Sequence, residues 1–381
     1  MRIGISCYPT WGGSGIVATE LAMALAAGGD EVHVLSYALP SRLSLADANL
    51  YYHEVVVPHY PLFEYPPYSL ALASKMAEVA RHQRLDLLHA HYAVPNAVSA
   101  NLAKLMLAPR PLGVVTTLHG TDVTLVGNDP SYLETTRWAV IASDAVTAVS
   151  ESLRAATVHQ LCVEDRPIEV IPNFIDPRRY EAARHLPGAR RWVPPGEKIL
   201  MHVSNFRPVK RAMDVLEVFL KVRERLPAHL LFVGDGPERA RLEQRCRELG
   251  CCAGVTFLGN LAPIEEVLVG ADLFLLPSES ESFGLAALEA LACEVPVIAT
   301  LAGGIPEVVR HGIDGLLYAV GDVAGMAEGA IALLSDPDRQ RSFALAGRQG
   351  ALERFSEAAI VARYRQLYET VLDRLGGGAG R

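Results

Sequence analysis

The chain has 381 residues, half of them hydrophobic and 20% charged, with a formal net charge of -8. That length exceeds one ordinary core and fits two domains, and the composition excludes a disordered chain. The first 172 residues hold 10 Lys or Arg against 16 Asp or Glu, so no broad basic face is expected, which argues against nucleic acid or an anionic membrane as a partner.

The opening segment, MRIGISCYPTWGG, has one Arg and a short apolar run that meets Pro and Gly at once. It reads as a buried strand and lacks the long apolar core of a signal peptide. No stretch approaches the roughly 18 apolar residues of a membrane span, so a cytoplasmic protein without stable membrane association is expected. RIGISCY as a strand is followed by GIVATELAMALAAGG as a helix, and then by EVHVLSY, LDLLHAHY, LGVVTTLHG and AVTAVS as further strands. After a Pro- and Arg-rich linker at 172–195, a second series begins with KILMHVSNF as a strand and AMDVLEVFLKVRERL as an amphipathic helix. HLLFVGDGP, GVTFLGN, DLFLLPS and VPVIAT continue it as strands, each followed by helical sequence.

This alternation predicts an α/β fold of two Rossmann-like domains with parallel sheets, at 1–172 and 173–355. The helical pattern at 356–375 is free to cross back to the first domain, and 376–381 reads as a flexible tail. Ligands of open parallel sheets lie beyond the carboxyl ends of the strands, so two facing sheets would enclose a central cleft. The six cysteines, at 7, 162, 246, 251, 252 and 293, lack paired CxxC spacing and read as buried free thiols. For the adjacent Cys251 and Cys252, helix-end packing and a redox role are the two readings.

The polar strand ends hold the candidate chemistry. Gly12-Gly13-Ser14-Gly15 places small residues where a helix N-terminus can approach an anion, although its spacing is not that of a dinucleotide fingerprint and a ligand-free turn would also explain it. Gly234-Asp235-Gly236-Pro237 follows an apolar strand, its glycines admitting close backbone approach and Pro237 suiting the first turn of a helix. In PSESESFG, acids end a strand just before the helix LAALEALAC. A structural reading makes Ser282 an N-cap and the acids companions of the helix dipole, while the free amides of Phe283, Gly284 and Leu285 would also suit a diphosphate. In SNFRPVKR, strand alternation would put Asn205 and Arg207 on one side with Lys210 just beyond, forming an anion site; solvated surface charge is the competing reading.

His89 and His91 share a face of their strand, but no third and fourth ligands are evident, so a metal site is not expected. His119, beside a Gly turn in HGTD, is the better candidate for substrate contact. The only D-x-D string, Asp336-Pro337-Asp338, has the composition of a helix start. No metal or other cofactor is therefore expected, and cationic side chains must screen any diphosphate.

Together GGSG, HGTD, the strand-end Lys210, GDGP and the pair Glu281 and Glu289 resemble the family 4 retaining glycosyltransferases, across nearly the whole chain. More narrowly, CYPTWGGSG, YPPYSLALASKMAEVA, HAHYAVP, TTLHGTD, SNFRPVKR, VGDGPE, ESFGL and GGIPEV look like the branch of that family which serves bacillithiol biosynthesis. The resemblance implies a GT-B fold, UDP-N-acetylglucosamine as donor and L-malate as acceptor. It also implies that Glu289 binds the ribose hydroxyls, Glu281 contacts the donor sugar, the amides of Phe283 to Leu285 hold the diphosphate and Lys210 neutralises it. Gly13, Gly15, Gly234 and Gly236 would line the donor side.

One departure is that the family has Arg five residues before the strand-end Lys, where this chain has Asn205; Arg207 is expected to take its place. A dicarboxylate acceptor needs cations and hydroxyl donors, for which Ser14, Lys75, Tyr92, Thr121 and Arg137 are the candidates. Another acceptor, such as an inositol phosphate or a glycan, and a non-catalytic nucleotide-sugar sensor remain alternatives, and a homodimer is left open.

Overall fold

The computed structural model describes residues 1–10, 12–59 and 61–377. The chain divides into two compact units, Met1–Asn173 joined by the chain from Ala358, and Phe174–Glu357.

The first unit is built on seven parallel strands: β1 (Arg2–Ser6), β2 (Glu31–Ser36), β3 (Leu50–Glu54), β4 (Leu87–His91), β5 (Gly113–Leu118), β6 (Ala145–Ala148) and β7 (Glu169–Val170). Their spatial order is β3-β2-β1-β4-β5-β6-β7. β4 and β5 are buried along their whole length, as expected for strands covered on both faces. β3 reads LYYHE and exposes two of its five residues, an edge strand whose mixed pattern hides it in the sequence.

The long final helix, Glu357–Gly377, returns to this unit. Tyr364 and Tyr368 are fully buried; Tyr368 hydroxyl lies 2.7 Å from His89 Nδ1, and Arg365 donates to the Gly28 carbonyl at 2.7 Å. The helix runs on through Gly376 and Gly377, the first two residues of the expected tail, while 378–381 lie outside the described residues.

The second unit has six parallel strands: β8 (Lys198–Val203), β9 (Ala228–Val233), β10 (Val255–Gly259), β11 (Leu273–Leu276), β12 (Val297–Thr300) and β13 (Gly315–Tyr318), ordered β10-β9-β8-β11-β12-β13. A core cluster of this unit gathers Phe206 and Phe232 with Val215, Phe219 and Val222 of the helix Ala212–Arg223. In each sheet the direction of winding reverses once, between β1 and β4 and between β8 and β11. Such a switch point is where the loops at the carboxyl ends part and leave room for a ligand.

Among the described residues no helix is long and apolar enough to cross a membrane.

Candidate active site

At the switch point of the first unit, the loop after β1 meets the loops after β4 and β5. A side chain on Gly15 would lie 2.5 Å from the Tyr8 carbonyl oxygen, so glycine is what lets this loop close on the helix Gly13–Ala27. Gly13 is exposed and Ser14 partly so at the start of that helix. The Tyr8 ring stands edge-on to Tyr92 with centroids 5.2 Å apart. Tyr92 bonds through its hydroxyl to Thr121, and its ring lies parallel to that of His119. Gly15, Tyr92, His119 and Thr121 are thus brought into one neighbourhood.

Lys75 and Arg137 are engaged elsewhere. Lys75 pairs with Glu78 at 3.2 Å on the exposed face of their helix, while Arg137 donates from Nε to the Leu161 carbonyl at 2.6 Å and reaches Glu134.

Two residues that sequence reasoning did not single out for roles organise this neighbourhood. Asp122 is fully buried and accepts from the backbone amides of Gly120 at 2.8 Å, His119 at 3.1 Å and Ala93 at 3.2 Å, fastening the β5 loop to the β4 loop. Burial pushes its carboxyl up to about 6, while those amides pull it down. His91 lies with Nδ1 3.0 Å from His119 Nε2. Burial drives His119 down to about 3 and His91 well below the usual imidazole value, so both rings are neutral at physiological pH. His119 is nonetheless partly exposed. The final Asp of HGTD was a usable signal for Asp122; the pairing of His91 with a ring 28 positions later had no local one.

At the switch point of the second unit, Lys210 donates to Glu281 Oε1 at 2.6 Å, and the Ser278 hydroxyl donates to the same oxygen at 2.8 Å. The ion pair bridges the ends of β8 and β11, and a backbone bond from Glu279 N to the Val209 carbonyl, at 2.8 Å, runs beside it. Gly304 N donates to the Glu281 carbonyl at 2.8 Å, tying the loop after β12 to the same segment. Gly234 and Gly236 press on the neighbouring loop: a Cβ on either would fall 1.9 Å from a carbonyl oxygen, of Ser204 and Asn205 respectively, and Gly234 also has φ 115°. Glu289 is buried on the helix Leu285–Ala292.

Three local expectations are corrected by the backbone. The helix after PSESESFG begins at Leu285 and its N-cap is Gly284 with φ 94°, not Ser282, because the chain needs a left-handed residue to turn into the helix. Pro237 is not in the first helical turn, since the helix Arg239–Glu248 starts two residues later, with Glu238 as its N-cap. The strand holding SNFRPVKR ends at Val203, and Phe206 turns left-handed with φ 38°. Asn205 and Arg207 are both exposed because Phe206 is buried between them, and not because of strand alternation. Asp336, by contrast, caps its helix as expected, accepting from Arg339 N at 3.0 Å.

Chemically, the second unit offers a cation, a carboxylate and a helix N-terminus whose first amides have no acceptor within the helix, which suits an anionic ligand with a polyol attached. The sequence is 48% identical over 373 residues to N-acetyl-alpha-D-glucosaminyl L-malate synthase of Bacillus anthracis, covering 98% of this chain and 97% of that one. Residues 11–179 match the family described as Glycosyltransferase Family 4, and residues 190–350 that described as Glycosyl transferases group 1.

The chain belongs to the family 4 glycosyltransferases.

A more distant relative is D-inositol 3-phosphate glycosyltransferase of Nocardia farcinica, 29% identical over 97% of this chain and 88% of that one. Among solved structures, sucrose-phosphate synthase of Thermosynechococcus elongatus superposes with a TM-score of 0.81 at 22% identity, over 98% of this chain and 100% of that one. Anabaena Alr3699/HepE in complex with UDP and glucose gives 0.79, also at 22% identity, over 97% and 99%. These likenesses establish the GT-B fold of this glycosyltransferase, with its Lys210–Glu281 pair at the β8/β11 switch point and its histidines at the ends of β4 and β5.

Proposed function

We propose that this glycosyltransferase moves N-acetylglucosamine from UDP-N-acetylglucosamine to the hydroxyl of L-malate, giving N-acetyl-α-D-glucosaminyl L-malate and UDP, the first step of bacillithiol biosynthesis. The observation that carries this reading is the 48% identity over 98% of the chain to the Bacillus anthracis synthase.

In this reading the second unit holds the donor. The amides of Phe283, Gly284 and Leu285 receive the diphosphate, Glu289 the ribose hydroxyls, and Lys210 and Arg207 offset the phosphate charge. Glu281 orients the sugar, and its 2.6 Å bond to Lys210 keeps both side chains aligned. Asn205, Gly234 and Gly236 shape the loops around them. The first unit supplies His119 to the sugar and, from among Ser14, Tyr92 and Thr121, with Lys75 and Arg137 only where they leave Glu78 and the Leu161 carbonyl, the contacts to the malate carboxylates and hydroxyl.

The anomeric carbon–oxygen bond to the β-phosphate breaks as the malate oxygen bonds to the same face of that carbon. The malate hydroxyl proton passes to the departing phosphate oxygen, and the growing negative charge there is met by Lys210 and Arg207. The α configuration is retained without a covalent enzyme intermediate. We also propose that no divalent metal takes part, because the carboxylate of Asp336 is committed to a helix cap and fixed cations do the screening.

The test is incubation with UDP-N-acetylglucosamine and L-malate, an inositol phosphate or an oligosaccharide, followed by proton NMR of the product. An α-linked glucosaminyl malate is expected. Transfer to another acceptor only would overturn the malate assignment, a β linkage would overturn retention, and tight donor binding without turnover on any acceptor would favour a sensor.

A further inference from the structure

His91 and His119 share one hydrogen bond, 3.0 Å long, and the direction in which it runs determines what His119 can offer a substrate. Both imidazoles are neutral, since burial disfavours the charged form of each. A neutral imidazole has one N–H and one bare nitrogen. Two arrangements are therefore open: His91 Nδ1–H donates to His119 Nε2, or His119 Nε2–H donates to His91 Nδ1.

The far side of His91 separates them. Its Nε2 is buried and has no hydrogen-bond partner among the described residues. The adjacent His89 ring, with centroids 4.3 Å apart, cannot serve it, because His89 is already bonded at Nδ1 to Tyr368 and at Nε2 to Thr117, each at 2.7 Å. If His119 were the donor, the proton of His91 would sit on that orphaned Nε2 as a buried N–H without an acceptor. If His91 is the donor, Nε2 keeps only an unshared lone pair. Buried N–H groups without acceptors are the rarer and costlier defect. A bond from Asn96 Nδ2 to the His91 carbonyl, at 2.7 Å, holds the backbone that sets this geometry.

We infer that His91 is a positioning residue that donates through Nδ1 to His119 and thereby locks His119 in the tautomer carrying its proton on Nδ1, so that His119 meets the substrate as a hydrogen-bond donor. The ligand atom it recognises is then an oxygen accepting a hydrogen bond, such as a sugar hydroxyl oxygen, and His119 is unavailable as a base toward the acceptor hydroxyl. This rests on the proposed function only in taking His119 as the group that faces the sugar.

The experiment is a long-range proton–nitrogen correlation spectrum of the full-length, nitrogen-15-labelled protein. The His119 signals are those lost in His119→Gln, one ring of the twelve in the chain. The expected spectrum shows His119 protonated at Nδ1 and bare at Nε2. His91→Asn, whose amide can still donate, should keep that tautomer and nearly full turnover. His91→Asp, whose ionised carboxylate can only accept, should at a pH that keeps it ionised move the proton to Nε2 and cut kcat/KM roughly tenfold.

A wild-type His119 protonated at Nε2 would overturn the inference. So would a His91→Asp protein whose His119 has switched tautomer without loss of turnover. If His91→Asp does not fold, the wild-type spectrum and His91→Asn decide. A Nδ1-protonated His119 in a protein that fails to glycosylate malate would sink the proposed function and leave this inference standing, so the two fail separately.

Discussion

At the strand ends of the first unit, His89, His91 and His119 are kept neutral by burial, His89 bonded to Tyr368 and Thr117 and His91 bonded to His119. At the strand ends of the second, Lys210 and Glu281 form an ion pair 2.6 Å long, with side chains 21% and 12% exposed. The histidine rings of the one exclude positive charge, while the other brings opposite charges together. Neutral rings can orient uncharged hydroxyls without attracting stray ions. A lysine held by a glutamate is set in place before an anionic ligand arrives, so little reorganisation is left for the reaction itself.

The sharpest way to break this contrast is Lys210→Ala. Removing a cation aimed at developing phosphate charge should lower kcat roughly 10²- to 10³-fold, with a smaller change in donor binding. Steady-state kinetics alongside UDP titration would show it, and weakened donor binding with kcat unchanged would mean that Lys210 only binds. Because Glu281 is left unpaired in a partly buried site, the variant should also lose about 1–2 kcal/mol of stability.

A second test targets the backbone that supports the pair. Gly234→Ala must place a methyl group 1.9 Å from the Ser204 carbonyl at a φ of 115°, so the loop after β8 has to move. A loss of about 2–4 kcal/mol is expected in urea unfolding. An unchanged midpoint would show that the two loops are not in register as described.

The contrast also marks what the sequence could and could not disclose. Alternating strand and helix patterns located the two sheets, and glycine-rich strand ends located both loop clusters, because these are local consequences of burial and backbone geometry. The strands β3, β7 and β13, each at an edge of its sheet, escaped, β3 because its pattern is mixed. The N-cap at Gly284 was misplaced because Ser282 has the better side chain for a cap while only glycine suits the backbone there. His91 was out of reach as an organiser, since its partner His119 lies 28 residues away and periodicity reports which face a residue takes, not whom it meets, and of the contacts of Asp122 only the one to Ala93, 29 residues away, was equally hidden.

Acid should expose the charge-excluding character of the buried histidines. His89 and His119 are pushed down to about 3 and His202 to about 4, all by burial. Below about pH 6.5 the unfolded chain binds protons that the folded chain refuses, so stability rises with pH and is lost as pH falls from about 6.5 toward 4. Asp122, raised to about 6, acts in the opposite sense, because between 3.8 and 6 the folded state binds its proton more tightly. Three histidines outweigh one carboxyl, so the melting temperature should drop between pH 7 and pH 5. His202→Gln should flatten that slope by up to about 1.4 kcal/mol per pH unit, and an unaltered slope would mean that His202 titrates normally.

The smallest expected effect concerns how the second unit handles charge. The string Asp336-Pro337-Asp338 is the one place where the chain could be thought to clamp a metal-bound diphosphate. Its first carboxylate instead accepts from Arg339 N at 3.0 Å and caps the helix Pro337–Arg354. Asp336→Ala should therefore cost about 1 kcal/mol of stability, as the loss of an N-cap does, and leave kcat and donor KM unchanged. Chelator should likewise leave wild-type turnover intact. If Asp336→Ala abolished activity, or EDTA did so and magnesium restored it, the screening assigned to Lys210 and Arg207 would have to pass to a metal. Turnover unchanged in both would leave the second unit working with fixed cations alone, the counterpart of a first unit that works with neutral rings.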